Sequence, residues 1–491
     1  MKRTLSALFG LLLLGATPAA PDRAPKRSPA LAEAMSQPPT GGKLVAWVFF
    51  TDKGDKAEAR AAASLAPMTP RAASRRRLRG AVTGASVEDL PLVPGYVDAV
   101  AASVGRVRQR SRWFNAVSVE ATARQLEAIE ALPFVARLDL VRRYRRRADE
   151  RPEPDPVSLA RNPVRKPAVA VIDYGTSLGQ LAQIGVPAVH QMGFHGEGVV
   201  VAVFDAGFNS LNHEVFSYLH IVAAHDFVNG DDDVGDGADQ GEGSHGTETL
   251  SVLAGFQEGQ LVGPAFAADF ILAKTENTVS ETPVEEDNWA AAAEWAESLG
   301  ADVISSSLGY LDYDSPFPSY TFRDMNGQTA ISTRAAEMAA ARGVVVVNSA
   351  GNSGDNAQHN TLGAPADGAH VLAIGAVDPT GLRASFSSVG PSADGRIKPD
   401  VAAQGVSVRV ALPGSVSRYG TANGTSFSCP LTAGVVALLL QVNPGATPDD
   451  VAGVLRATSS QAGRPDNLLG WGIVNANAAA TAWTPAGAGG R

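Results

Sequence analysis

The pattern of apolar residues changes character near residue 170. Beyond that point, short runs at 199–204, 269–273, 303–306, 344–347 and 371–374 show little polar alternation, as strands buried on both faces of a parallel sheet do. Helical spacing intervenes at about 245–254, 288–299 and 328–342, the last two ending at Gly300 and Gly343, where left-handed caps are expected. A further helix is predicted at 426–441, opened by Gly424-Thr425-Ser426-Phe427-Ser428-Cys429-Pro430, with Pro430 expected in its first turn. A last one begins at Thr447-Pro448-Asp449-Asp450, with a cap, a proline and acidic residues in the right order. Strands alternating with helices predict an α/β fold: a doubly wound, mostly parallel sheet with flanking helices over 170–483, its sites at the carboxyl ends of the strands.

The first third reads differently. Residues 43–148 predict a small α+β domain in a coarse βαββαβ order: a strand at 43–51, a basic helical stretch at 56–79, strand signals over 105–119, a helix at 121–131 and a strand at 135–144. Residues 21–42, rich in Pro, Ala and Ser, read as a flexible leader, and 149–169, with five prolines, as an exposed, easily cut linker. Lys2 and Arg3 ahead of the apolar run 5–14 and the small residues 15–20 have the layout of a secretory signal peptide over 1–20, too short to span a bilayer. Secretion to an extracellular or periplasmic space is therefore expected, with no membrane partner. Residues 484–491 read as a C-terminal tail.

Charge sharpens the division. Residues 1–165 carry a net +12 and residues 166–491 a net −21 beneath the overall −9. An arginine-rich segment joined to a strongly acidic one points to docking within the chain rather than to nucleic acid. The single cysteine, Cys429, excludes an intrachain disulfide framework and reads as a small buried packing residue.

Several strand ends carry polar groups that local structure does not require. The run 199–204 ends in Asp205, a carboxylate that is costly at the end of a buried strand unless it is hydrogen-bonded. Gly243-Ser244-His245-Gly246-Thr247 sets a histidine at a helix start, and Ala350-Gly351-Asn352 places an amide just past a strand. Ser426 opens a long apolar helix, where unpaired N–H groups and the positive end of the helix dipole gather. Taken singly, these are a turn former, a cap, a left-handed turn residue and an ordinary helix start. Together, in the order Asp…His…Asn…Ser at one edge of one sheet, they resemble the subtilisin-like serine proteases. Ser307-Leu308-Gly309, Lys398-Pro399-Asp400-Val401 and Gly470-Trp471-Gly472 extend the resemblance over about 170–480.

The resemblance implies Ser426 as nucleophile, His245 as general base and acid, Asp205 as the group that orients the histidine, and Asn352 as an oxyanion-hole donor. It implies a peptide-bond hydrolase that needs no cofactor for catalysis. Ser307, Leu308 and Gly309 would form an edge to which an extended polypeptide substrate adds, with Ala350 and Gly351 walling the pocket. The small basic domain takes the place of the family's inhibitory propeptide, which makes it an intramolecular inhibitor, with self-cleavage expected within 145–175 and a monomer after maturation. A catalytically silent peptide-binding relative is the alternative. The family's calcium loop looks replaced by Gly255-Phe256-Gln257-Glu258-Gly259. Structural calcium then falls to Asp231, Asp232, Asp233 and Asp236, a cluster that a solvated acidic loop explains as well. Glu248 and Thr249 are more polar than the family pattern. Glu285, Glu286 and Asp287 suggest a preference for basic residues upstream of the cut, or simply an acidic helix start favoured by the dipole.

Overall fold

The computed structural model describes residues 26–38, 41–55, 68–81, 86–141, 172–235, 244–277, 285–311, 319–354 and 362–483, and the backbone of 150–154. The signal-peptide reading, residues 56–67, the arginines at 142–147, most of the linker, Asp236 and the C-terminal tail lie outside them.

Seven parallel strands form the central sheet, in the order Val401–Gln404, Val371–Val377, Val345–Ser349, Val303–Ser306, Val200–Asp205, Asp269–Lys274, His220–Asp226. From Val200–Asp205 the chain goes first to the edge strand His220–Asp226, fills the place between with Asp269–Lys274, and then crosses to the other side with Val303–Ser306. A crevice therefore opens between the carboxyl ends of Val200–Asp205 and Val303–Ser306. All residues of Val200–Asp205 and of Val303–Ser306 are buried, as the unbroken apolar runs predict. Two strands of this sheet escaped the sequence reading: His220–Asp226, an edge strand whose first residues are exposed, and the four-residue Val401–Gln404.

The helix Thr425–Val442 crosses one face of the sheet. It is long and apolar enough to span a membrane, yet 89% of that stretch is buried inside the protein, so its apolarity is that of a core helix. Pro430 lies in its second turn rather than its first, because the helix already begins at Thr425. The helices Glu285–Leu299 and Ile331–Ala341 cover the opposite face. Glu285, Glu286 and Asp287 belong to the first turn of the former instead of preceding it. The start Thr447–Asp450 forms the expected capping box around Pro448.

The N-terminal domain is a four-stranded antiparallel sheet in the order Arg106–Ser111, Ala116–Thr122, Lys43–Phe50, Val135–Leu140. The face that carries Trp47 and Phe49 shares one core with Trp289, Ala293, Ala335 and Ala339 of the two covering helices. Glu294 receives the backbone N–H groups of Arg112 and Trp113 at 3.0 and 3.2 Å and the Ser111 hydroxyl at 3.0 Å. The two domains are thus docked through a shared core closed by hydrogen bonds. Two stretches expected to lack structure are ordered. In the leader, Pro29–Ser36 is a helix because Ser28 caps it, Pro29 opens it and Leu31 is fully buried. In the linker, Glu150–Pro154 pairs antiparallel with Tyr419–Asn423.

Candidate active site

Asp205 closes its strand at the crevice and is completely buried. Among the described residues its charge is met by three donors. The Ala206 N–H reaches Oδ1 at 2.7 Å, the Thr249 hydroxyl reaches Oδ2 at 2.8 Å, and His245 Nδ1 lies 2.6 Å from Oδ1. His245 opens the helix His245–Ala254. That helix comes this close because residue 246 is glycine: a Cβ there would meet the Gly207 carbonyl oxygen at 2.3 Å. Thr249, which looked like a departure from the family pattern, sits one turn along the same face and points its hydroxyl at the carboxylate. A histidine bonded through Nδ1 to a carboxylate presents Nε2 as its basic nitrogen.

Ser426 is the second residue of its helix and is 3% exposed. Gly424 precedes it at φ 152° and ψ 155°, a backbone conformation that side chains exclude. The Ser426 hydroxyl donates to the Ser307 carbonyl at 3.5 Å, and the Ser307 hydroxyl donates to the Ser426 carbonyl at 2.8 Å. Pro430 explains the second bond. Having no N–H, it cannot serve the carbonyl four residues earlier, which is that of Ser426, and Ser307 supplies the missing donor. Ser307 was singled out for its backbone; its side chain also holds the Ser426 carbonyl in place.

Asn352 accepts on Oδ1 from both the backbone N–H and the hydroxyl of Thr425, each at 2.9 Å. These bonds fix the amide next to the first N–H groups of the Ser426 helix, with Nδ2 as its donor end. Ala350 is buried, and Gly351 donates to the Thr425 hydroxyl at 3.2 Å. Leu308 is 2% exposed, and its carbonyl is taken by Asn348 Nδ2 at 2.8 Å and the Ser349 hydroxyl at 3.3 Å. Ser307, Leu308 and Gly309 continue the strand Val303–Ser306 without a strand partner among the described residues. A Cβ at Gly309 would find nothing within 4 Å, so the chain there borders open space.

The structure therefore brings Asp205, His245, Asn352 and Ser426 to one edge of the sheet, with Ser307 to Gly309 and Ala350 to Gly351 around them. Thr249, Thr425 and the Ser307 hydroxyl are the groups that sequence reasoning missed. Cys429 is buried, its thiol pushed up to about 12 by burial and held against the carbonyls of Ser306 and Val347. The acidic run does not converge. Asp231 and Asp233 each accept from a backbone N–H two residues on, and Asp232 pairs with His225 at 2.9 Å. Among the described residues no group of three or more His, Cys, Asp or Glu is placed to hold a metal ion. Of the acidic triplet, Glu286 is bound to Tyr320 and Ser332, and Asp287 lies beneath the N-terminal domain.

Comparison with known proteins agrees with this geometry. Residues 196–472, more than half of the chain, match the model of the subtilase family (peptidase S8), and residues 45–154 match a peptidase S8 propeptide domain of Bacteroidota. Subtilisin NAT of Bacillus subtilis subsp. natto is 33% identical over 302 residues, covering 61% of this chain and 70% of its own length. Subtilisin Savinase of Lederbergia lenta is 33% identical over 300 residues, covering 61% and 97%. The crystal structure of fervidolysin from Fervidobacterium pennivorans, a keratinolytic enzyme related to subtilisin, superposes with a TM-score of 0.62 at 22% identity, over 89% of this chain and 61% of that one. The chain belongs to the subtilase family of serine endopeptidases and carries a propeptide domain ahead of its catalytic domain.

Proposed function

We propose that this protein is a secreted endopeptidase made as an autoinhibited zymogen, with Ser426, His245 and Asp205 as its catalytic triad. The observation that carries the reading is the 2.6 Å contact between His245 Nδ1 and the buried, triply bonded Asp205, on the sheet edge where Ser426 opens its helix. In this reading His245 Nε2 takes the Ser426 proton as Oγ attacks a peptide carbonyl, and later delivers it to the leaving amine. Asn352 and the Ser426 N–H stabilise the oxyanion. An extended peptide lies along Ser307 to Gly309 through main-chain pairing, which demands little of its sequence. A fluorophosphonate is expected to label the wild-type protein and not Ser426→Ala, and the wild-type protein is expected to digest casein. Equal labelling of both would sink the assignment of the nucleophile; labelling without casein digestion would make the protein an esterase.

Asn352→Ala is expected to lower kcat by roughly 100- to 1000-fold with little change in KM, the scale of losing one oxyanion donor. Steady-state kinetics on a peptide amide check this. A rise in KM alone would instead place Asn352 in ground-state binding.

Autoinhibition is supported by the strand Glu150–Pro154, which runs along Tyr419–Asn423 just before Gly424 and Ser426. Glu150 pairs with Asn423 and Pro154 with Gly420, so the strand starts beside the nucleophile and leads away from it. The bond offered to Ser426 accordingly precedes Glu150 in the sequence, in the early part of the 145–175 window.

Docking of the propeptide domain is expected to weaken as pH rises. Asp287 is fully buried beneath that domain, with the Ser118 hydroxyl and the Trp47 indole near it, but among the described residues neither of its oxygens has a partner at good hydrogen-bonding geometry. Burial pushes its carboxyl up to about 7, with Glu286 adding to the rise, against the opposing pull of the Ser118 hydroxyl, the Arg108 guanidinium and the Trp47 indole. Undocked and solvated, the group returns toward 3.8. The docked state therefore keeps a proton that the undocked state gives up. Docking is strongest below about pH 4, loses up to about tenfold in affinity per pH unit to about pH 7, and then levels off. Size-exclusion of the cut protein from pH 4 to 8 reads this directly, and an equally steep profile in Asp287→Asn would overturn it.

A further inference from the structure

The basic helix Pro70–Leu78 touches no part of the cleft. Thr69 caps it, accepting from the Ala72 N–H, and gives its own hydroxyl to the Leu299 carbonyl at 2.9 Å. Residues 71, 75, 76 and 79 fall on one helical face, and all four arginines enter the catalytic domain. Arg75 and Arg76 both bind Glu297, Arg76 through Nε and Nη2 at 2.8 Å each. Arg71 and Arg79 both bind Asp302, Arg79 at 2.8 Å. Arg76 reaches on to Asp89, which in turn holds Arg342 of the catalytic domain at 3.0 Å. The side chains of Arg75 and Arg76 are 2% exposed and that of Glu297 is 1% exposed.

The same guanidinium groups serve backbone. Arg75 donates to the Ala301 carbonyl at 2.5 Å, Arg71 to Gly300 at 3.1 Å and Gly198 at 2.8 Å, and Arg79 to Gly343 at 2.6 Å. The carbonyls of Gly300 and Ala301 lie just past the end of the helix Glu285–Leu299 and that of Gly343 just past Ile331–Ala341, where unpaired C=O groups and the negative end of the helix dipole favour cations. Arg77, which points away, is exposed. The site lies before the first residues of Val200–Asp205, Val303–Ser306 and Val345–Ser349, whereas Asp205, Ser307 and Asn352 lie at or past their last. Six residues of strand put about 20 Å between the two edges.

We propose that this arginine helix is a second anchor of the propeptide domain, seated on the sheet edge remote from the active site, which keeps the domain in place after the connecting chain is cut and so sets the delay between cleavage and activity. The inference rests on the zymogen reading above. Before the cut, the covalent link holds the propeptide domain at high effective concentration. Afterwards only non-covalent contacts remain, and a contact far from the cleft can act on affinity alone. Glu297 and Asp302 each bind two guanidinium groups, so removing a single arginine takes one of two charge partners from a buried carboxylate.

The test follows the full-length protein through its own maturation, reading the cut by gel electrophoresis and activity by peptide hydrolysis. Arg75→Gln/Arg79→Gln is expected to be cut at the wild-type rate and to shorten the delay before activity by at least about tenfold, the scale of disrupting a buried charge pair. Arg77→Gln is expected to keep the wild-type delay. An unchanged delay in the double variant, or the same shortening in Arg77→Gln, overturns the anchor. If the double variant fails to fold, hydrogen exchange on the cut wild-type protein decides. Slow exchange over 69–79 supports the anchor, and fast exchange there while 43–50 stays protected overturns it. Failure of the wild-type chain to be cut, or cutting of Ser426→Ala, would count against the zymogen reading itself and is seen on the gel independently of any delay.

Discussion

Replacing Ser426 by alanine is expected to leave the chain full-length and to lower kcat by about a million-fold. In subtilisin, loss of the serine or the histidine alone costs about as much as loss of the whole triad, roughly 2 × 10⁶, because the groups act as a unit. The same arithmetic applies if Ser426 Oγ is the attacking atom, since neither His245 nor Asn352 has a task without it. The substitution is mild for the fold. The bond from Ser307 to residue 426 ends on a backbone carbonyl that alanine retains, and Gly424 still opens the helix. Thermal unfolding is therefore expected within a degree or two of wild type, on the scale of an exchange that removes one hydroxyl from a single weak bond. Purified Ser426→Ala protein, followed by gel and by peptide hydrolysis, gives both answers at once. A cut product in that variant would mean that another protease matures the chain, and residual activity within about a hundredfold of wild type would mean that Ser426 is not the nucleophile.

What the sequence made legible follows from how local each signal is. Asp205 ends a strand, His245 and Ser426 lie at helix starts and Asn352 follows closely on a strand, so the four residues could be placed at one edge of the sheet before any contact was known. The groups that hold them were not legible. Thr249 reaches Asp205 from one turn into another element, Thr425 reaches Asn352 across 73 residues and Ser307 reaches Ser426 across 119. No local pattern marks which of many threonines and serines will do so. Pro430 carried a usable signal that was misplaced by one turn: a proline in the second turn of a helix frees a carbonyl, and that carbonyl belongs to Ser426. The edge strand His220–Asp226 was missed because its first residues are exposed and lack the buried-strand run. The charge split predicted docking within the chain, but not its place, because nothing local marks Glu297 and Asp302, at and just past the end of a helix, as the carboxylates that the arginines meet.

The contrast between acceptor and donor at position 205 supports the second large effect. Asp205→Asn is expected to lower kcat by roughly 10⁴ with KM near wild type, because the isosteric amide keeps the packing while changing the proton that His245 carries. Among the described residues three groups act on the carboxylate, all as donors: the Ala206 N–H, the Thr249 hydroxyl and His245 Nδ1. An amide that stays within this set must direct its NH₂ at one of them. The backbone N–H cannot accept. If the NH₂ faces His245, the ring must turn Nδ1 into an acceptor and carry its proton on Nε2, where it can no longer receive one from Ser426. If it faces Thr249, that hydroxyl must rotate to accept, and the negative charge that steadies the imidazolium is still gone. Either arrangement weakens the transition state and leaves substrate binding along Ser307 to Gly309 untouched, which is why kcat and not KM should move. Thr249→Val serves as the graded companion. It removes one of three donors and keeps the charge, so a loss nearer tenfold is expected, about the value of one charge-assisted hydrogen bond. Single-turnover kinetics on the two variants would separate these cases: a kcat for Asp205→Asn within about tenfold of wild type would show that the carboxylate does not govern the tautomer of His245.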